Sequence, residues 1–281
     1  MTTLLDGKTL SKKIINKVEQ EISTLKTQPE LAVVLVGTNP ASQSYVRNKH
    51  RTAEKIGMKS IVIELDENVS EQNLIEQIDI LNEDKNINAI LVQLPLPKHL
   101  DPSKVIAHID PIKDVDGLHP ENCGKILSGE EPYAYPCTPK GIMELIEEYK
   151  INLEGLNAVV IGRSNLVGKP VSQMLLNKNA TVTTAHSKTK NIESITKTAD
   201  LIITAMGKPK FLKKEMVKEN VIIIDVGFNK TEDGACGDVD FEDVKEKASF
   251  ITPVPGGVGP MTIATLMQNT LDLYKIQNQI F

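Results

Sequence analysis

Two apolar runs end in glycine: LAVVLVG at residues 31–37 and AVVIG at 158–162. Neither alternates apolar with polar residues, so each suits a strand buried on both faces, as in a parallel sheet covered by helices. The flanking segments carry the helices such a sheet needs. Residues 8–26 place Leu10, Ile14, Ile15, Val18, Ile22 and Leu25 at helical spacing. Residues 40–57 read as a helix stopped by Gly57, and KSIVIEL (59–65) as the next strand. A helix follows from Ser70 to about Leu81, and INAILVQLPLP (87–97) starts as a strand that breaks at its prolines. This alternation predicts βαβ units and a parallel sheet.

Between residues 108 and 138 periodicity fails in a stretch rich in Pro, Gly and Asp, which reads as a functional or interdomain connection. Helical spacing returns at 140–150. A second α/β pattern runs through 157–187, 199–207 and 220–229, and a last amphipathic helix spans about 262–278. The expectation is an α/β protein of two domains. The first covers 1–120, completed by the C-terminal helix at 262–281; the second is a Rossmann-like, mainly parallel domain at 140–261.

The 281-residue length allows two cores. A net charge of −5, without a basic run, argues against a nucleic-acid partner. Three cysteines, an odd number without CxxC, fit a reducing cytoplasm and argue against a disulfide scaffold or a zinc site. No apolar run approaches a membrane span, and the N-terminus turns amphipathic at once, without the pattern of a secretory signal. His50, His99, His108, His119 and His186 show neither HxxxH nor HExxH spacing, and Asp114 and Asp116 lack the further oxygen ligands of a calcium loop; no metal is expected.

The stretch AVVIGRSNLVGKP is a buried strand, a glycine-bearing turn and a helix start, the context in which a phosphate rests on backbone N–H groups. Gly162 and Gly168 are in place, but Ser164 stands at the second glycine position and the last glycine comes one residue late. A plain βα turn remains an alternative at this level. An NAD site would present a carboxylate about 20 residues on, for the ribose 2′-OH. TVTTAHSKTK (181–190) offers none; His186, Ser187, Lys188 and Lys190 stand there, with Arg163 in the turn itself. Cations and hydroxyls suit a 2′-phosphate, so NADP is favoured over NAD.

In ASQSYVRNK (41–49), Ser42, Tyr45 and Lys49 recur at i, i+3 and i+7, one stripe of a helix, with Val46 and Ala53 near enough to bury it. Such a stripe is either a reactive face or surface decoration with long side chains snorkelling. Gln93 ends an apolar strand, where α/β proteins present reacting groups. Asp116 precedes a glycine in DVDG; a turn aspartate capping its own backbone is the plainer reading. In TPVPGGVGPMT (252–262), prolines stiffen a loop whose Gly256, Gly257 and Gly259 let backbone approach a ligand; a rigid connection is the alternative.

Taken in order, PASQSYVRNK, VQLPLP, KDVDGLHP, PCTP, GRSNLVGKP, HSKT, DVGFN, GDVDF and PVPGGVGPMTIATL resemble the methylenetetrahydrofolate dehydrogenase/cyclohydrolase family along essentially the whole chain. The resemblance implies two α/β domains flanking a cleft, NADP as cofactor, tetrahydrofolate derivatives as substrates, a homodimer, and a place in one-carbon metabolism that supplies purine biosynthesis. It puts the family's catalytic lysine on Lys49, with Tyr45, Gln93, Asp116 and Ser42 around it. Gly162, Arg163, Ser164, Ser187 and Phe228 fall on the cofactor side, although the family commonly has Ile where Phe228 stands. Pro255, Gly256, Gly257, Gly259 and Thr262 line the folate side.

The implied chemistry is hydride transfer from methylenetetrahydrofolate to NADP+, then attack of water on the methenyl cation to give formyltetrahydrofolate. A cationic intermediate disfavours a charged lysine beside it, so Lys49 is expected to act as base or proton relay, oriented by Gln93. A short-chain dehydrogenase is set aside because its glycine loop precedes its Tyr–Lys pair. A shikimate-type dehydrogenase lacks the DVDG and PVPGG segments, and a non-catalytic NADP-binding module has no need of Lys49, Gln93 and Asp116 together.

Overall fold

The computed structural model describes residues 2–232 and 234–280. Its strands are β1 (Thr3–Leu4), β2 (Glu30–Val36), β3 (Lys59–Leu65), β4 (Ala89–Val92), β5 (Asn157–Ile161), β6 (Thr181–Ala185), β7 (Leu201–Thr204), β8 (Val221–Asp225), β9 (Asn229–Thr231), β10 (Gly234–Cys236) and β11 (Ala248–Ile251). The helices are α1 (Gly7–Ser23), α2 (Pro40–Lys55), α3 (Glu71–Glu83), α4 (Pro102–Ala107), α5 (Pro120–Ser128), α6 (Cys137–Glu148), α7 (Gly168–Asn177), α8 (Ile192–Thr196), α9 (Phe241–Val244) and α10 (Val258–Gln277).

The chain is mixed α/β with two compact units: Met1–Lys12 with Thr138–Ala264, and Lys13–Cys137 with Thr265–Phe281. The second unit holds a three-stranded sheet in the order β3-β2-β4, every pair parallel. Central β2 is buried from Leu31 to Val36, as its unbroken apolar run requires, whereas edge strand β3 is partly exposed. Leu74, Ile78 and Leu81 of α3 pack on one face of this sheet, against Ala32, Val34, Ile90 and Val92. Ser70 caps α3, its hydroxyl accepting from Asn73 N at 3.1 Å.

The first unit holds six parallel strands in the order β1-β11-β8-β7-β5-β6, with β9 and β10 as a separate antiparallel hairpin. Its boundaries differ from those drawn on the sequence at the N-terminus. Residues 3 and 4, read there as part of the first lobe, extend this sheet by pairing with Phe250 and Ile251. A two-residue strand carries too little pattern to reveal its partner. The stretch at 108–138, which looked irregular, contains α5. This helix is too short for apolar periodicity to stand out; its signal is Pro120 at the first turn and Gly129 in the left-handed conformation (φ 80°) at its end.

The C-terminal part of α10 completes the second unit through polar side chains. Asn269 Nδ2 donates to Val115 O (2.9 Å) and Tyr135 O (2.8 Å), and Gln277 Nε2 donates to Asn88 O and Ile112 O, both at 2.8 Å. Lys275 forms an ion pair with Glu21. The segment that follows α4 is anchored by Lys113. This buried ammonium donates to Leu81 O (3.1 Å), Asn82 O (2.7 Å) and Asp84 O (2.8 Å), closing the end of α3. Burial holds its pKa below the usual lysine range. Lys113→Met is expected to destabilise the protein by about 1–3 kcal/mol in urea denaturation, since carbonyls would lose a charged donor, while exposed Lys85→Met leaves stability unchanged.

Candidate functional site

Helix α2 starts at Pro40, behind Asn39, whose side chain accepts from Ala41 N (3.0 Å) and Ser42 N (3.2 Å). The cap fixes where the helix starts. Its buried residues are Ser42, Val46, Lys49 and Ala53, so Ser42 and Lys49 lie on the inward stripe itself. Tyr45 does not share it. At about 100° per residue it sits roughly 60° round the helix from Ser42, and the residue is 49 % exposed. Lys49 is only 9 % exposed, and Nζ donates to Gln93 Oε1 at 3.1 Å. No carboxylate among the described residues pairs with it. Gln93 follows β4, its N–H bound to Val34 O at 2.9 Å. Its Nε2 donates to Leu94 O at 2.6 Å, which turns Oε1 toward the lysine.

Residues 113–115 run beside β4. Ile90 N donates to Lys113 O at 2.7 Å, and Ile90 and Asp114 form a parallel bridge. The pairing ends there: Gly117 N donates to Asp114 O at 3.3 Å, so Asp116 sits in the turn that leaves β4. Of the two aspartates, Asp114 does the capping. It is buried and accepts from His119 N (2.7 Å) and Asn122 Nδ2 (3.0 Å). Burial pushes its pKa up to about 6. Asp116 is half-buried, and its carboxylate makes no hydrogen bond to any described residue. Gly117 (φ 63°) turns the chain where a Cβ would meet Ala134 O at 2.5 Å, which is why glycine follows Asp116.

The phosphate-loop expectation concerns the first unit. Gly162 has φ 146°, and a Cβ there would lie 2.4 Å from Ala205 O. Gly168, at the start of α7, would place a Cβ 2.2 Å from Gly162 O, so glycine is what lets α7 approach the strand end. Ser164 has a structural use at the missing glycine position: its hydroxyl accepts from Val167 N (3.1 Å) and Gly168 N (3.4 Å). The serine ties the turn to the residues that open α7, which a glycine could not do. Ile161 and Ala185 close the β5–β6 ladder, and Arg163 and Ser187 each lie two residues beyond it, both exposed. The turn after β6 is closed by His186 N donating to Thr189 Oγ1 at 2.9 Å, and it holds no carboxylate. These residues fit a dinucleotide bearing a 2′-phosphate.

Phe228, after β8, is 52 % exposed, and Pro255 and Gly259 are exposed as well. Gly259 has open space around it, but Gly256 and Gly257 pack against the protein's own chain. Gly256 O accepts from Lys8 N at 2.9 Å, and the carbonyl of Gly257 lies 1.9 Å from where a Cβ on Gly7 would be. Thr262 Oγ1 is 3.0 Å from Thr138 Oγ1. The 252–257 stretch is thus partly internal packing, and α10 begins at Val258 rather than near residue 262, with Gly259 open in its first turn.

Models of the tetrahydrofolate dehydrogenase/cyclohydrolase family match in two parts, the catalytic domain over residues 5–116 and the NAD(P)-binding domain over 136–278. The chain belongs to this family. A relative from Listeria innocua, Bifunctional protein FolD, is 55 % identical over 279 residues, 98 % of each chain. The crystal structure of the bifunctional FolD enzyme from Campylobacter jejuni superposes with a TM-score of 0.97 at 50 % identity, covering 98 % of this chain and 99 % of that one. A Trypanosoma brucei methylenetetrahydrofolate dehydrogenase-cyclohydrolase, complexed with NADP cofactor and inhibitor, gives 0.94 at 34 % identity over 99 % of both chains. Among the described residues no helix is long and apolar enough to cross a membrane, and no cluster of His, Cys, Asp or Glu is placed to hold a metal ion.

Sequence reasoning missed Asn39, Lys113 and the capping role of Asp114. Asn-Pro ahead of a helix was the available signal for the first; nothing in the sequence marks Lys113 as buried. Asp114 also generates a pH test. Its pKa is raised from 3.8 to about 6 in the folded protein, so the fold binds the extra proton and loses stability as pH rises through that window. Asp114→Asn escapes this penalty. Its stability relative to wild type is expected to improve from pH 4 to pH 6 and to stay level above, as read from urea midpoints; curves that remain parallel would contradict the assignment.

Proposed function

We propose that Lys49 is the proton-handling group of a two-step reaction on tetrahydrofolate, and the observation that carries this is its nearly buried amine held by the neutral amide of Gln93. The chain is a bifunctional enzyme of one-carbon metabolism. It oxidises 5,10-methylenetetrahydrofolate with NADP+ to 5,10-methenyltetrahydrofolate and hydrolyses that product to 10-formyltetrahydrofolate.

NADP+ supplies the hydride acceptor when bound; everything else falls to side chains. Asp116, with no internal partner, accepts hydrogen bonds from the pterin amino and ring N–H groups and so fixes orientation and specificity. Tyr45, exposed beside the Lys49 stripe, offers its ring to the folate ring system. In the second step Lys49 accepts a proton from the water that attacks the methenyl carbon, while Gln93 holds Nζ in place and Ser42 lines the same stripe. An amine without a carboxylate partner can pass from donor to acceptor without breaking an ion pair.

On the cofactor side, Gly162 and the start of α7 receive the pyrophosphate, Ser164 shapes that turn, Arg163 and Ser187 take the 2′-phosphate, and Phe228 borders the cofactor. Pro255, Gly256, Gly257, Gly259 and Thr262 shape the folate side. The same reading takes the protein as a cytoplasmic homodimer; its net charge of −5 supports the absence of a nucleic-acid partner.

Lys49→Met is expected to lower the rate of methenyltetrahydrofolate hydrolysis by roughly a hundredfold or more, as loss of a positioned acid–base group does. Hydrolysis at the wild-type rate would remove Lys49 from the mechanism. Replacing Arg163 and Ser187 together by alanine is expected to raise KM for NADP+ at least tenfold while leaving that for NAD+ within about twofold, since only NADP+ carries the phosphate they meet. Equal losses for both cofactors would place the 2′-phosphate elsewhere.

A further inference from the structure

Two buried aspartates in the first unit remain without a role in the scheme above. Asp225, the last residue of β8, is 3 % exposed; Asp238, in the GDVDF stretch after β10, is fully buried. Neither forms an ion pair with a described residue. Each accepts four hydrogen bonds instead, mostly from backbone N–H groups. Asp238 Oδ2 accepts from Met206 N (2.8 Å) and Gly207 N (3.0 Å), and Oδ1 accepts from Lys208 N (2.8 Å) and Asn229 Nδ2 (3.0 Å). Asp225 Oδ1 accepts from Gly227 N (2.9 Å), Asp238 N (3.0 Å) and Thr204 Oγ1 (3.0 Å), and Oδ2 from Val239 N (2.9 Å). The two carboxylates are thus linked in series.

The segments they hold are the loops that leave β7 and β8 at their C-terminal ends, the edge where open α/β sheets receive ligands. Successive N–H groups such as those of residues 206–208 form a cradle that binds anions. Here Asp238 fills that cradle from inside the protein, so these donors are not available to a phosphate. The first residue of the same loop, Ala205, presses its carbonyl on Gly162, the turn read as the pyrophosphate site. Asn229, also held by Asp238, follows Phe228 directly. The glycines agree with this account. A Cβ on Gly227 would sit 2.3 Å from Asp238 Cγ, and one on Gly237 would sit 1.8 Å from Asp225 Oδ2, so both glycines of DVGFN and GDVDF make room for a carboxylate.

We propose that Asp238 is a positioning residue for the cofactor: by gathering the N–H groups of residues 206–208 and the amide of Asn229, it sets the β7 and β8 loops against the Gly162 turn. It confines the cofactor's anionic groups to the β5 turn and leaves the β7 loop to an uncharged part of the cofactor. This rests on the NADP-binding reading above, but it concerns a carboxylate that touches neither substrate nor cofactor. It separates the two activities, because hydrolysis of methenyltetrahydrofolate consumes no dinucleotide.

The test is Asp238→Asn, which keeps the shape but turns a carboxylate oxygen into an NH2 facing two of the four donors. In the full-length protein, KM and Kd for NADP+ are expected to rise roughly ten- to a hundredfold, the range of one or two lost charged hydrogen bonds, with dehydrogenase kcat within about threefold. Hydrolysis of supplied methenyltetrahydrofolate should stay at the wild-type rate. A fall of both activities in proportion to the folded fraction, or an unchanged Kd for NADP+, would overturn the proposal. Asn229→Ala removes one donor and is expected to move Kd in the same direction by a smaller factor; it decides the matter if Asp238→Asn does not fold. Wild-type protein that binds NADP+ but turns over no folate would defeat the functional reading and not this one, since calorimetric Kd values are compared without turnover.

Discussion

Parallel strand pairing is the constraint on which both units depend. Apart from the β9–β10 hairpin, every strand pair in the two sheets is parallel. Parallel neighbours need crossover connections, and so the C-terminal ends of all strands in a sheet gather on one edge. In the three-stranded sheet this edge carries Gln93, the Asp116 turn and the inward face of α2 with Lys49. In the six-stranded sheet it carries Gly162, Ser187, Phe228 and the loop that follows β11. Residues far apart in sequence meet because the topology leaves their loops no other place.

What the first unit and the second do with that edge differs in charge. The folate-side residues present a lysine amine with a neutral partner and a carboxylate with none. Neither charge is neutralised by an ion pair within the protein, and such groups are costly to bury unless a function retains them. The cofactor-side loops are closed instead. Asp225 and Asp238 use up the donors of the β7 and β8 loops, and Ser164 shapes the turn into α7 through Val167 N. On the proposed reading, one surface serves proton transfer and recognition and the other holds a rigid shape against a dinucleotide.

The elements with strong patterns were legible. The apolar runs of β2 and β5, the Gly57 stop after α2 and the Ser70 cap of α3 each state a local preference that tertiary packing does not oppose. The short elements were not. β1 has two residues, and α5 hides its helix among Pro, Gly and Cys. Lys49, Gln93 and Asp116 could be named from their motifs, but the i, i+3 spacing was read as one stripe, whereas packing buries Ser42, Val46, Lys49 and Ala53 and leaves Tyr45 on the flank. Buried carboxylates such as Asp225 and Asp238 were invisible for a physical reason: most of their partners are backbone N–H groups, which every residue but proline carries.

The most direct measurement is an absorbance time course with the purified protein, methylenetetrahydrofolate and either NADP+ or NAD+. A sheet edge holding a folate cation beside Lys49, with a 2′-phosphate site at Arg163 and Ser187, predicts an NADP+-dependent rise of the methenyl absorbance followed by its enzyme-dependent decay, with little rise when NAD+ is supplied instead. No NADP+-dependent rise, or a methenyl signal that decays only at the rate seen without protein, would contradict it.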